Sequence, residues 1–172
     1  VEHRWSVGPI TVAVRKHDGA RRSPIARDAG SLLLTDLVRE LTGAEAAVRR
    51  LCPNCGATDH GRPVVPRRDV VLSLSYAPGA VAVAAAPGDA IDGLGIDIEA
   101  GLAETEAISG VCLRDWTRLE AAMKADGRAS MLDPATAVVS GDHVSFPGAP
   151  PWSSTVLPVP GPFQAAIAYR YR

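Results

Sequence analysis

The chain has 172 residues, room for one compact domain or two small halves and too little for a multidomain assembly. Hydrophobic residues make up 47% but aromatic ones only 5%, so the core has to rest on Val, Leu, Ile and Ala. Eighteen Lys and Arg stand against 19 Asp and Glu, a balance that excludes a disordered chain and an electrostatic nucleic-acid binder.

The first expected element is a strand over residues 10–15. An Arg-rich loop with Arg15, Lys16, Arg21, Arg22 and Arg27 then runs into an apolar-periodic stretch over 29–41. There Leu33, Leu37 and Leu41 recur at i, i+4 and i+8, and Thr42-Gly43 ends a helix. The basic residues thus precede a helix N-terminus, where free amides and the dipole favour an anion; a solvated loop is the plainer alternative.

Residues 51–63 are rich in turn formers, and no regular element fits them. Cys52, Cys55 and His60 offer three zinc ligands there, whereas a closed structural site needs four. Cys112 or His143 completes such a site only if the fold brings it near. Two small thiols in a tight turn are the alternative.

From residue 69 the pattern is β. Segments 70–75, 80–86 and 94–99, separated by Pro78-Gly79 and Pro87-Gly88, read as a three-stranded antiparallel meander. In the third strand the period of two puts Ile96 and Ile98 on one face and Asp97 and Glu99 on the other. A cation bridging those carboxylates offsets their repulsion, although a solvated acidic strand end needs none. Residues 113–128 read as a helix closed by Asp126-Gly127, with Trp116, Glu120 and Lys124 along one side. Glu120 before Lys124 is also the order of an ordinary surface ion pair. Short strands over 136–140, 144–146, 154–157 and 163–171 complete an α+β architecture.

Charge is unevenly shared along the chain. Residues 1–68 carry 12 basic and 7 acidic side chains, and residues 69–172 carry 6 and 12. A basic half facing an acidic half suits a ligand with phosphates at one end and a divalent cation at the other. No run approaches the roughly 18 apolar residues of a membrane span. The opening residues do not read as a signal peptide, and three cysteines are too few for a secreted disulfide scaffold, so the expectation is a cytoplasmic protein.

Taken in order, several segments resemble the phosphopantetheinyl transferases, especially the surfactin-type branch. That family's Gly-Lys-Pro segment resembles His60-Gly61-Arg62-Pro63, and its Leu-Ser-His-Ser strand resembles Leu74-Ser75-Tyr76-Ala77. Its Gly-(Val/Ile)-Asp-(Ile/Val)-Glu strand is similar to Gly95-Ile96-Asp97-Ile98-Glu99, and its Trp-x-x-Lys-Glu-Ala-x-x-Lys helix to the segment from Trp116 to Lys124. The likeness spans roughly residues 20–130. It implies a monomer of two small pseudo-symmetric α+β halves with antiparallel sheets, residues 1–90 on the coenzyme A nucleotide side and 91–172 on the metal side.

The implied activity moves the 4'-phosphopantetheine arm of coenzyme A to a serine of an acyl or peptidyl carrier protein, with Mg²⁺, releasing 3',5'-ADP. Asp97, Glu99 and Glu120 would hold the metal, with Glu120 as general base and Lys124 at the leaving phosphate. Arg21, Arg22, Arg27, Gly61, Arg62, Pro63, Ser75 and Tyr76 would bind coenzyme A. Neither nucleic acid nor membrane is an expected partner. The likeness to a Cys-x-x-Cys-Gly variant of these enzymes implies cysteines without zinc.

Three departures accompany the resemblance. Tyr76 stands where the family has a phosphate-contacting histidine, Leu119 stands where it has a lysine, and the segment between Glu99 and Trp116 is short. They set a second reading beside the first: a weakened or inactive relative that binds coenzyme A or a carrier protein without transfer. Outside the family, the third reading is a small interaction domain organised by zinc at Cys52, Cys55 and His60.

Overall fold

The computed structural model describes residues 1–172 except 53, 54, 67, 68, 109, 129 and 130, and describes only the backbone of 106–108. Strands β1 (Glu2–Val7) and β2 (Ile10–Lys16) form a hairpin. Helix α1 (Pro24–Thr42) follows, then the short strands β3 (Arg49–Leu51) and β4 (Arg62–Val64). The long strands β5 (Val70–Ala77), β6 (Ala80–Pro87) and β7 (Ile91–Ala100) come next. A small hairpin of β8 (Glu106–Ile108) and β9 (Val111–Cys112) leads into α2 (Leu113–Asp126). A 3-10 turn at Pro134–Thr136 precedes β10 (Val138–Ser140), β11 (His143–Ser145), β12 (Trp152–Leu157) and β13 (Phe163–Tyr171).

Helix α1 begins five residues before the apolar periodicity suggests. Ser23 caps it by accepting the Ala26 amide, and Pro24 occupies the first turn, where its missing N–H is no loss. Arg27 therefore lies inside the helix, while Arg21 and Arg22 precede it. Arg15 and Lys16 belong to β2, and Arg15 pairs with Glu2 at 2.7 Å. Both ends of the 51–63 segment are strand, β3 paired with β4, and Pro53 and Asn54 of that loop lie outside the described residues.

Besides the two-stranded pairs, the described residues form two larger antiparallel sheets, with strand orders β1-β2-β6-β5 and β10-β11-β12-β13-β7. The expected meander is corrected at its third strand. β6 has both edges taken, by β2 and β5, so β7 pairs instead with β13, from Ala100 opposite Phe163 to Ile91 opposite Tyr171. The first sheet draws all its strands from before residue 90, and the second draws all of its strands from after it.

A central core is shared by the sheets, with Ile10, Val12 and Val14 of β2 and the even-numbered alanines of β6 against Ile96, Ile98 and Ile167. Val81 and Val83, on the opposite face of β6, pack against Leu33, Leu34 and Leu37 of α1. Ala121, Ala122 and Ala125 of α2 pack on Val144, Trp152 and Ala168. The alanine-rich composition has a use here: β6 is buried on both faces, and small side chains let helix, strand and second sheet approach closely.

Edge strands β5 and β7 adjoin at the seam between the sheets. Side chains bridge it: the Ile96 amide donates to Ser73 Oγ at 2.9 Å, and Ser75 Oγ donates to Asp97 Oδ1 at 2.7 Å. No helix among the described residues is long and apolar enough to cross a membrane.

Candidate functional site

The acidic cluster is assembled by the packing of α2 on β7. Gly93 and Gly95 leave that face of the strand bare; a Cβ at Gly95 would sit 1.9 Å from the Ala121 carbonyl oxygen, and one at Gly93 2.7 Å from that of Ala125. The close approach carries Glu120 over the strand face that bears Asp97 and Glu99. One carboxylate oxygen from each of the three lies within 4.8 Å of the others.

Asp97 is completely buried. Its Oδ1 accepts from Ser75 at 2.7 Å and from Lys124 Nζ at 2.5 Å, while its Oδ2 has no hydrogen-bond partner among the described residues. An unpaired buried carboxylate oxygen is costly, and a hard cation is one way to satisfy the group, a protonated Glu120 hydrogen-bonded to Asp97 being the other. Burial raises Glu120 and Glu99 above the ordinary carboxylate range, and the charge of Asp97 adds to both shifts. Lys124 and Arg21 oppose them, Arg21 by an ion pair to Glu99 at 3.1 Å. Three carboxylates thus face two cations, and all the donor atoms are oxygens, which fits a magnesium ion in ligand type and in charge.

Lys124 Nζ also donates to Ser75 Oγ at 2.9 Å and to the Ile96 carbonyl at 3.2 Å. Those contacts use all three ammonium donors. Its ammonium therefore holds Asp97 while the residue also lines a neighbouring cleft.

Beside the cluster opens a cleft of about 1160 Å³ lined from both sheets and both helices. Among the described residues, eight cations, Arg21, Arg22, Arg27, Arg50, Arg62, Lys124, Arg128 and Arg170, line it against four carboxylates, Asp59, Asp92, Glu120 and Asp126. A surface with that excess suits a polyanionic ligand. Gly61, Pro63, Ser75 and Tyr76 also line it. Asp97 and Glu99 do not; they reach the cleft through Lys124 and Arg21.

All the residues that the sequence assigns to nucleotide binding therefore share one cavity, next to the three assigned to metal. Leu119 is buried and Trp116 half-buried, and neither lines the cleft, so the missing lysine charge at 119 is not lost from its wall. Arg50, Arg128 and Arg170 carry no motif and escape the sequence reading. Arg50 is the telling one: it donates to the Tyr76 hydroxyl at 3.2 Å and to the Gly61 carbonyl at 3.2 Å. Its only sequence signal is a pair of arginines at 49 and 50 before a turn-rich loop.

Cys52, Cys55 and His60 also converge, with one ligand atom of each within 4.8 Å of the others, and neither Cys112 nor His143 joins them. Compared with known proteins, the chain matches no family model and no curated protein.

Proposed function

We propose that this protein is a magnesium-dependent transferase that moves the 4'-phosphopantetheine arm of coenzyme A onto a serine of an acyl or peptidyl carrier protein. The observation that carries the reading is the convergence of Asp97, Glu99 and Glu120, with a buried Asp97 oxygen that has no partner among the described residues, at the edge of a cleft whose described cations outnumber its described carboxylates two to one. The order of elements adds support. β2-α1-β5-β6 and β7-α2-β12-β13 each place their last strand between the other two, as two pseudo-symmetric halves facing a ligand cleft would.

Asp97, Glu99 and Glu120 would hold the magnesium ion, which when bound supplies positive charge to the pyrophosphate of coenzyme A. Arg62, Arg21 and Arg22 offer guanidinium groups to the phosphates. Arg50 brings a cation to the hydroxyl of Tyr76 and so restores charge where the resemblance has a histidine. Glu120 accepts the proton of the serine hydroxyl as its oxygen attacks the phosphorus that bears the pantetheine arm. The bond from that phosphorus to the bridging oxygen breaks, and 3',5'-ADP leaves with the electron pair.

The test mixes the protein with Mg²⁺, coenzyme A and a panel of apo-carrier proteins and reads each carrier by mass spectrometry. The expected result is gain of the phosphopantetheine arm with release of 3',5'-ADP, reduced about 10²- to 10⁴-fold by Glu120→Gln. Coenzyme A binding without transfer to any carrier would select the binding-protein reading, and absence of coenzyme A binding would overturn both.

A further inference from the structure

The loop joining β3 to β4 has little apolar reason to hold a shape. None of the described residues from 51 to 62 is buried. It is nonetheless tied down by its own backbone: the Cys52 amide donates to the Ala57 carbonyl at 2.9 Å, and the Gly56 amide to the Cys52 carbonyl at 2.9 Å. Leu51 pairs with Arg62, which closes the loop at its base. Gly61 takes φ +94 there, and a Cβ on it would lie 2.3 Å from the Leu51 carbonyl oxygen and 2.5 Å from Cys52 Cα. Only glycine lets the returning chain run so close to Cys52.

That return brings His60 Nε2 to 3.3 Å from Cys55 Sγ, within the group of three ligand atoms that includes Cys52. The other ring nitrogen, Nδ1, lies 2.7 Å from Asp59 Oδ1. In the neutral imidazole a carboxylate on Nδ1 favours the tautomer whose Nε2 lone pair faces the thiols, the arrangement that orients metal-bound histidines. Two sulfurs and an imidazole nitrogen select a borderline-soft ion over magnesium.

We propose that Cys52, Cys55 and His60 bind a zinc ion, with Asp59 orienting His60 and a fourth position taken by water. The absence of a second cysteine pair, which argues against a closed structural site, is what leaves that position open. Cys52, Asp59 and His60 belong to the wall of the cationic cleft, as do Gly61 and Arg62. The ion therefore clamps the mouth of the hairpin two residues from Arg62 and sets where that guanidinium enters the cleft. Zinc binding itself requires neither the carboxylate cluster nor the activity proposed for it, although the position it gives Arg62 bears on phosphate binding in that reading.

The test uses the full chain, purified without a histidine tag and under reducing conditions. Elemental analysis should find about one zinc per chain, lost in Cys52→Ser and His60→Ala, retained in Cys112→Ser and in Asp97→Asn. Cobalt(II) added to the metal-stripped wild type should give a thiolate-to-metal charge-transfer band, and Asp59→Asn should weaken zinc binding about 10- to 100-fold. No thiolate band with cobalt(II), or a zinc content unchanged in Cys52→Ser, overturns the proposal whether or not the variants fold well. So does a Cys52–Cys55 disulfide that persists under reductant.

Discussion

Lys124→Met tests how the acidic cluster is held together. Asp97 is fully buried and keeps Lys124 on Oδ1 at 2.5 Å, so removing the ammonium while leaving the carboxylate strands a charge away from water. Breaking such a pair costs about 3 to 5 kcal/mol, and the 30% exposure of the Lys124 side chain puts the expected cost near the lower end, at about 3 kcal/mol. For a chain of this size, that lowers Tm by roughly 6 to 12 °C. Urea and thermal unfolding at neutral pH measure it. Asp97→Asn in the same background should recover part of the loss, because it removes the charge that the lysine compensated. Magnesium should stabilise Lys124→Met more than the wild type, since the ion supplies the missing positive charge. If Lys124→Met unfolds within about 0.5 kcal/mol of the wild type, the cluster does not depend on this pair and the electrostatic account of the site fails.

Glu99 and Glu120 give a pH dependence of definite sign. Both sit above their ordinary value of 4.5, so the folded chain holds their protons more tightly than the unfolded one, and their contribution to stability declines as pH rises from about 4.5 through the raised values. Magnesium competes with those protons, so calorimetric affinity in the wild type should rise across the same window, and the pH dependence of stability should flatten in Glu99→Gln/Glu120→Gln. Gly95→Ala should displace α2, because its Cβ meets the Ala121 carbonyl oxygen at 1.9 Å; a loss of about 1 to 3 kcal/mol and weaker magnesium binding are expected in unfolding and titration experiments. Arg50→Gln should weaken coenzyme A binding about 10-fold or more in a direct titration, the value of one charge-assisted contact, with little change in Tm.

Local patterns in the sequence were enough for most elements and for the chemistry of the individual site residues. Alternation along 95–99 places Asp97 and Glu99 on one side of a strand, and the spacing of Glu120 and Lys124 places them on one side of a helix, because side-chain direction follows backbone period. The loop of turn formers around Cys52 and His60 is likewise visible in composition, though its short flanking strands are not. The start of α1 was legible in Ser23-Pro24, but the apolar period begins only further on and hides it.

Tertiary structure alone decided which of these local pieces meet. Hydrogen-bond saturation of β6 by β2 and β5 sends β7 to β13 and turns an apparent meander into two sheets with a seam, and Ser73 and Ser75 become parts of the site because they lie across that seam. The two glycines under α2 bring Glu120 to Asp97 across 23 residues of chain. Arg50 enters the cleft because β3 folds back beside Tyr76. Pairing partners and close approach depend on which edges and faces remain free after everything else has packed, and no period or motif within a single segment encodes that.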